Sequence, residues 1–264
     1  MVDAPVTKQK VVVKKDDKGN ELVEMKPNGV DHAENFLRAM PHRVHLIEAN
    51  AGKGKTTLLQ HLFKSLAAEV KTDWNMAKPF PIWINRYNLP DNVLSGECEW
   101  EIEDIMLGVL NYKKPSTIEE ARWKEFVSSL LRHKDGLVIF IDGLDEFDAR
   151  TIVDAIKETF DGNATNPQAP TFVIGSRPNV LRAMDDKRKP FWRSDNVCHY
   201  VLNGLDDEDC FRTYVHKLFT SGVCQEEGGR TEANFLAAIE QKEKADRRYT
   251  ETSRTPLTLP SIAQ

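Results

Sequence analysis

Five short apolar runs punctuate the chain: Val44–Glu48, Pro81–Asn85, Leu137–Ile141, Thr171–Ile174 and His199–Leu202. Most are near-continuously apolar rather than alternating, the pattern of strands buried on both faces of a parallel sheet. Between them the period changes. Leu58, Leu59, Leu62, Phe63 and Leu66 put one apolar face on a helix over Lys55–Val70. Trp100–Leu110, Ile118–Leu131, Arg150–Phe160 and Asn179–Met184 read as further helices. Strands alternating with helices predict an α/β fold, with a parallel sheet between helical layers.

Both flanks depart from this alternation. Ahead of it, Val11-Val12-Val13 and Leu22-Val23 bracket Asp16-Asp17-Lys18-Gly19-Asn20, which predicts a hairpin or short edge element over Lys8–Lys26. Val30–Met40 reads as a helix capped by Asp31 and ended by Pro41. Behind it the strand signal ceases after Asp206, and Cys210–Phe219 and Glu232–Lys244 are amphipathic helices joined by Ser221–Arg230. The expected organisation is an N-terminal hairpin and helix segment over residues 1–42, an α/β domain over 43–204 and part of a helical domain over 205–264.

Composition narrows the function classes. With 264 residues, 40% of them apolar, the chain can bury one large core. The 36 Lys and Arg against 41 Asp and Glu give a net charge of −5, which offers no broad attraction for nucleic acid or an anionic membrane. The one basic cluster, Arg182 to Arg193 with Lys187, Arg188 and Lys189, reads as a solvated loop. Cys98, Cys198, Cys210 and Cys224 lack CxxC spacing and clustered histidines, so reduced structural thiols are expected. Met1–Lys10 has no apolar stretch of the kind a secretion signal needs, and Leu137–Ile141 is too short to span a bilayer, so a cytoplasmic location is expected.

The chemistry concentrates at predicted strand ends. Ala49-Asn50-Ala51-Gly52-Lys53-Gly54-Lys55-Thr56 sits between a strand and a helix, where a phosphate-binding loop belongs. Its backbone N–H groups and the helix N-terminus would wrap phosphates, Lys55 would reach the outer phosphates and the Thr56 hydroxyl would bind Mg²⁺; Thr57 and Lys53 flank these. Ala49 replaces the first glycine of the usual pattern, which matters only if that position needs φ > 0. A Gly-Lys-Ser/Thr triplet arises by chance in roughly one chain in ten of this length, so its placement between strand and helix is what makes it specific.

Two more strands end in polar residues. Leu137–Ile141 runs into Asp142-Gly143-Leu144-Asp145-Glu146, where Asp142 could hold Mg²⁺, Gly143 leave room beside the metal, and Asp145 or Glu146 orient or deprotonate water. The alternative for Asp145 and Glu146 is an acidic helix N-terminus. Thr171–Ile174 runs into Gly175-Ser176-Arg177-Pro178, delivering a hydroxyl and a guanidinium to the same crevice. Arg177 is a candidate γ-phosphate sensor, with a structural salt bridge as the alternative.

The set ANAGKGKTTLL over Ala49–Leu59, the acidic run Asp142–Glu146, Ser176-Arg177-Pro178 and Thr255-Pro256-Leu257 resembles the NACHT family of STAND P-loop NTPases from about Val44 onward. The resemblance implies a five-stranded parallel sheet in the order 5-1-4-3-2, counted from the strand before the phosphate loop at Val44. It also implies an ATP or ADP site with Mg²⁺ held by Lys55, Thr56 and Asp142, a catalytic acid at Asp145 or Glu146, Arg177 as sensor and Pro256 near adenine. For Pro256 a helix-breaking role is the alternative. Members of the family act as switches in immune, cell-death or antiviral signalling, closed with ADP and ring-forming with ATP. By the same resemblance the chain reads as a truncated core lacking a winged-helix segment and sensor repeats, monomeric by itself and a homo-oligomer in a longer protein. A nucleotide-binding scaffold without hydrolysis and a small-molecule kinase are the competing readings; a DNA-remodelling ATPase fits the acidic balance less well.

Overall fold

The computed structural model describes residues 5–15, 21–32, 44–72, 79–89, 101–111, 114, 116–131, 137–146, 149–161, 170–178, 189–192, 194, 196–202, 208–220 and 231–245. Seven strands form one sheet: β1 (Pro5–Lys15), β2 (Glu21–His32), β3 (Val44–Glu48), β4 (Phe80–Asn85), β5 (Leu137–Asp142), β6 (Thr171–Ser176) and β7 (Val197–Leu202). Their order across the sheet is β2-β1-β7-β3-β6-β5-β4. The five from β3 onward are all parallel. Counted from β3, that parallel core has the order 5-1-4-3-2, as the family resemblance implied.

Side-chain alternation on these strands divides the core in two. Leu46, Ile82, Ile84, Ile139, Ile141, Phe172 and Ile174 face one way, against α2 (Ile102–Asn111), α3 (Glu120–Leu131) and α4 (Ala149–Asp161). Ile47, Val138, Phe140, Val173 and Tyr200 face the other, against Leu58, Leu59 and Leu62 of α1 (Lys55–Thr72). Because the period is two, Asp142 and Gly175 fall on the same side as Phe140 and Val173, beneath the start of α1. The sheet thereby sets which groups meet at the phosphate loop. Phe140 is fully buried between Phe63 and Trp83, with ring centroids 5.7 and 6.3 Å away. Emptying such a position costs about 3–5 kcal/mol.

The hairpin expected near the N-terminus is present and joins the sheet. β1 pairs antiparallel with β2 and, through Val6–Gln9, with β7. The expectation of a helix over Val30–Met40 fails at its start, since Val30, Asp31 and His32 continue β2 opposite Thr7, Val6 and Pro5. Cross-strand pairing outweighs the local helix signal there; residues 33–40 lie outside the described residues. The register shifts between Thr7 and Gln9. Pro27, which has no N–H to give the ladder, sits at that irregularity opposite Gln9.

Lys189–Trp192 forms a single helical turn, α5, whose Phe191 and Trp192 are buried. This corrects the reading of the Arg182–Arg193 run as a solvated loop throughout, because the ring of Phe191 packs 5.6 Å from Phe160. The rest of that run from 182 to 188, with Arg193, and the whole of the helix expected at Asn179–Met184 lie outside the described residues. After β7, α6 (Glu208–Thr220) and α7 (Glu232–Ala245) share a small core of Phe211, Val215 and Ile239. Among the described residues no helix is long and apolar enough to cross a membrane. Cys198 is a buried free thiol, as expected for that residue.

Candidate functional site

The polar strand ends converge on the N-terminus of α1. β3 ends at Glu48 and the chain turns through Ala49–Gly54 before α1 begins at Lys55. Gly52 and Gly54 take φ of 78° and 89°, a backbone that L-residues rarely adopt. The loop is tied to its surroundings by the Ala49 N–H donating to the Ser176 carbonyl (3.1 Å) and by the Lys53 N–H donating to the Asn50 carbonyl (3.3 Å). Ala49 is buried within the α1-side core, so its methyl replaces a glycine without being forced into solvent. Asn50, Ala51 and Thr57 are exposed, and Gly52, Lys53, Gly54 and Lys55 are half-buried.

β5 delivers the acids. In register, Asp142 stands opposite Asn85 on one side and Gly175 on the other. The Thr56 hydroxyl donates to Asp142 Oδ1 at 3.1 Å, joining the phosphate loop to the strand end. Burial pushes the Asp142 carboxyl above its ordinary value; the Thr56 hydrogen bond and nearby Lys55 pull it back, and Glu146 and Asp145 add to the rise. Gly143 follows at φ 79°, and its N–H donates to the Gly175 carbonyl at 3.1 Å. A single 3₁₀ turn over Leu144–Glu146, closed by the Glu146 N–H on the Gly143 carbonyl (2.8 Å), then presents Asp145 and Glu146. The room expected beside Gly143 is taken by Glu146: a β-carbon at 143 would stand 2.9 Å from the Glu146 carboxyl carbon.

Asp145 is the hub. Its Oδ1 receives Lys55 Nζ at 3.4 Å and the Arg177 backbone N–H at 3.0 Å, and its Oδ2 receives Arg177 Nε at 2.9 Å. The salt bridge considered for Arg177 is therefore present, although its side chain remains 60% exposed. Ser176 does not bring a hydroxyl to the crevice as expected. It is fully buried, and its Oγ donates to the Arg177 carbonyl at 3.2 Å. Strand alternation turns it to the face opposite Gly175. Pro256 lies outside the described residues.

One contributor went unread in the sequence. Gly175 lies on the α1 face of β6, where an added β-carbon would meet Leu59 Cδ1 at 2.6 Å and the Lys55 stem at 3.0 Å. An isolated glycine inside a strand signals this kind of close approach.

The site meets the requirements of a Mg²⁺–nucleotide. Mg²⁺ takes one or two carboxylates together with water and phosphate oxygens, and Thr56 with the desolvated Asp142 carboxylate is such a donor set. The left-handed glycines and the first turn of α1 have the backbone geometry that could cradle phosphate.

The model of the NACHT domain matches residues 43–220, more than half of the chain. The chain belongs to the NACHT family. It is accordingly a nucleotide-binding P-loop NTPase domain, with the fold described above. No curated protein sequence matches it. Similar solved structures include the Aeropyrum pernix Orc1 protein in complex with DNA, at 17% identity, covering 88% of this chain and 58% of that one with a TM-score of 0.46. The AAA domain of FIGL-1 in complex with ADP gives 19%, 76%, 55% and 0.40 in the same order. Cdc6p from Pyrobaculum aerophilum gives 16%, 63%, 41% and 0.37. The NACHT chain thus spans less than two thirds of the length of each of these proteins.

Proposed function

We propose that this NACHT domain is the core of a regulatory switch that binds ATP or ADP with Mg²⁺ and hydrolyses ATP slowly. The observation that carries the reading is the 3.1 Å Thr56–Asp142 hydrogen bond, which pairs a phosphate-loop hydroxyl with a strand-end carboxylate. Two groups with no common apolar purpose are held together where Mg²⁺ would be bound between them.

In this reading backbone N–H groups of the phosphate loop, together with the N-terminus of α1, bind phosphate, and Lys55 reaches the outer phosphates. Thr56 and Asp142 hold Mg²⁺, which when bound offsets negative charge on the β- and γ-phosphates. Asp145 or Glu146 orients or deprotonates the attacking water, and Arg177 contacts the γ-phosphate. Pro256 is assigned to the adenine side by family resemblance alone. The biological output is a conformation: a closed monomer with ADP and a homo-oligomer with ATP, in cytoplasmic immune, cell-death or antiviral signalling.

The test is to denature the purified protein and identify the nucleotide released, then to follow ATP loss with no phosphate acceptor present. Released adenine nucleotide and slow phosphate production support the switch. Bound nucleotide without any turnover favours the scaffold, and turnover only with an acceptor favours a kinase. A protein that neither carries nor binds nucleotide rejects the reading.

A further inference from the structure

We propose that Asp145 is a positioning residue that couples Lys55 to Arg177, so that phosphate binding at the loop is felt at the arginine; this rests on the nucleotide-binding reading above. The carboxylate is only 11% exposed and accepts three donors from two other elements: Lys55 from α1, and both the backbone and the side chain of Arg177 from the end of β6. A carboxylate has about four acceptor positions, so most of its capacity is committed to these three donors, two of them cationic. Glu146, on the same turn, is exposed and rests its stem against Gly143.

The geometry of the arginine contact matters. Asp145 takes Nε and leaves the four N–H groups of the two terminal nitrogens for an anion. Lys55 is shared differently. To serve an outer phosphate its Nζ must leave Asp145, a contact already at the long end of hydrogen-bond range at 3.4 Å. The carboxylate is then held by Arg177 alone, and its full charge stiffens that grip. Asp145 thus competes with phosphate for the lysine and steadies the arginine once phosphate has won.

Two measurements on the purified chain test the coupling, only one of them needing nucleotide. In nucleotide-free protein, melting temperatures are compared for the parent, Asp145→Asn, Arg177→Gln and the double variant. If the bridge exists, the double variant melts no lower than the worse single variant; additive losses overturn it. Affinity for ADP without Mg²⁺ is then measured with Glu146→Gln as the control for simple loss of negative charge. Asp145→Asn is expected to bind ADP about two- to fivefold more tightly than the parent, the range of a weak ion pair, which the 3.4 Å separation makes this one, and Glu146→Gln to change less. If Asp145→Asn binds ADP like the parent and only slows hydrolysis, the residue is a base and the positioning role falls. If the melting cycle is non-additive but the parent binds no nucleotide, the NTPase reading is what fails, and the bridge is left as a structural ion pair with no role toward phosphate.

Discussion

Gly175 lies directly under the stem of Lys55: a β-carbon there would stand 3.0 Å from both Cγ and Cδ of the lysine and 2.6 Å from Leu59 Cδ1. Leu59 is fully buried in the α1-side core, so its methyl can yield only by repacking its neighbours. The lysine stem has less freedom, because its ammonium is held by Asp145 and its backbone starts α1. Gly175→Ala is therefore expected to weaken ADP binding severalfold and to cost about 1–3 kcal/mol of stability. Pairing it with Leu59→Ala, which removes the clashing methyl but leaves a core cavity costing about 2–5 kcal/mol, should leave binding weak if the lysine is the sensitive partner. Calorimetric titration with ADP checks this, and full recovery of binding in the pair would place the effect on Leu59.

Lys55→Ala should abolish the nucleotide-dependent rise in melting temperature. At ligand about 100 times the dissociation constant, binding stabilises a protein by about 2.7 kcal/mol, which for a chain of this size corresponds to roughly 5–10 °C. Differential scanning fluorimetry of both proteins, with and without ADP and Mg²⁺, reads the difference. A parent-like rise in the variant would remove the phosphate-loop assignment.

His199 gives the protein an acid-sensitive point remote from the site. It is buried on β7, with Nε2 2.7 Å from the Trp192 carbonyl and Nδ1 without a partner among the described residues. The neutral ring donates from Nε2; protonation would place a second N–H in a buried position. Burial accordingly depresses its pKa from the ordinary 6.5, opposed in part by the Trp192 carbonyl. At pH above 6.5 both folded and unfolded chains carry a neutral ring and the group contributes no pH dependence. As the pH falls below that value the unfolded chain takes up the proton first, so stability declines toward the lowered folded pKa, by up to about 1.4 kcal/mol per pH unit. Urea unfolding at pH 7.5 and 5.5 should show a larger loss for the parent than for His199→Gln. Equal losses would mean that the ring titrates normally.

The parallel core was legible because buried strands leave near-continuous apolar runs, and each of the five appeared within two residues of its expected place. The ends were less visible. β6 runs on through Gly175 and Ser176 because Glu48 and Asp142 pair with them, a tertiary fact with no local signature. Phe191 and Trp192 were masked by surrounding lysines and arginines, and Val30 carried a helix-like context that pairing with Thr7 overrode. In the site, Lys55, Thr56 and Asp142 could be named because phosphate and Mg²⁺ chemistry dictates the residue types. The attachment of Arg177 to Asp145 could not, since it depends on how a 3₁₀ turn after β5 lies beside the end of β6.

Gly143 offers the sharpest separation of backbone strain from chemistry. Its φ of 79° costs an ordinary L-residue about 1–2 kcal/mol, and an added β-carbon would also stand 2.9 Å from the Glu146 carboxyl carbon. Gly143→Ala should therefore lose stability and also displace Glu146. Asparagine tolerates the left-handed region better but carries the same β-carbon, so Gly143→Asn should regain part of the stability while Glu146 stays displaced. Neither change touches Lys55 or Thr56, and ADP affinity should hold in both. If Glu146 orients the attacking water, both variants should hydrolyse ATP at least about tenfold more slowly, a loss of about 1.4 kcal/mol of transition-state stabilisation. Hydrolysis that recovers together with stability in Gly143→Asn would show that strain alone was responsible, and would take the water-orienting role away from Glu146.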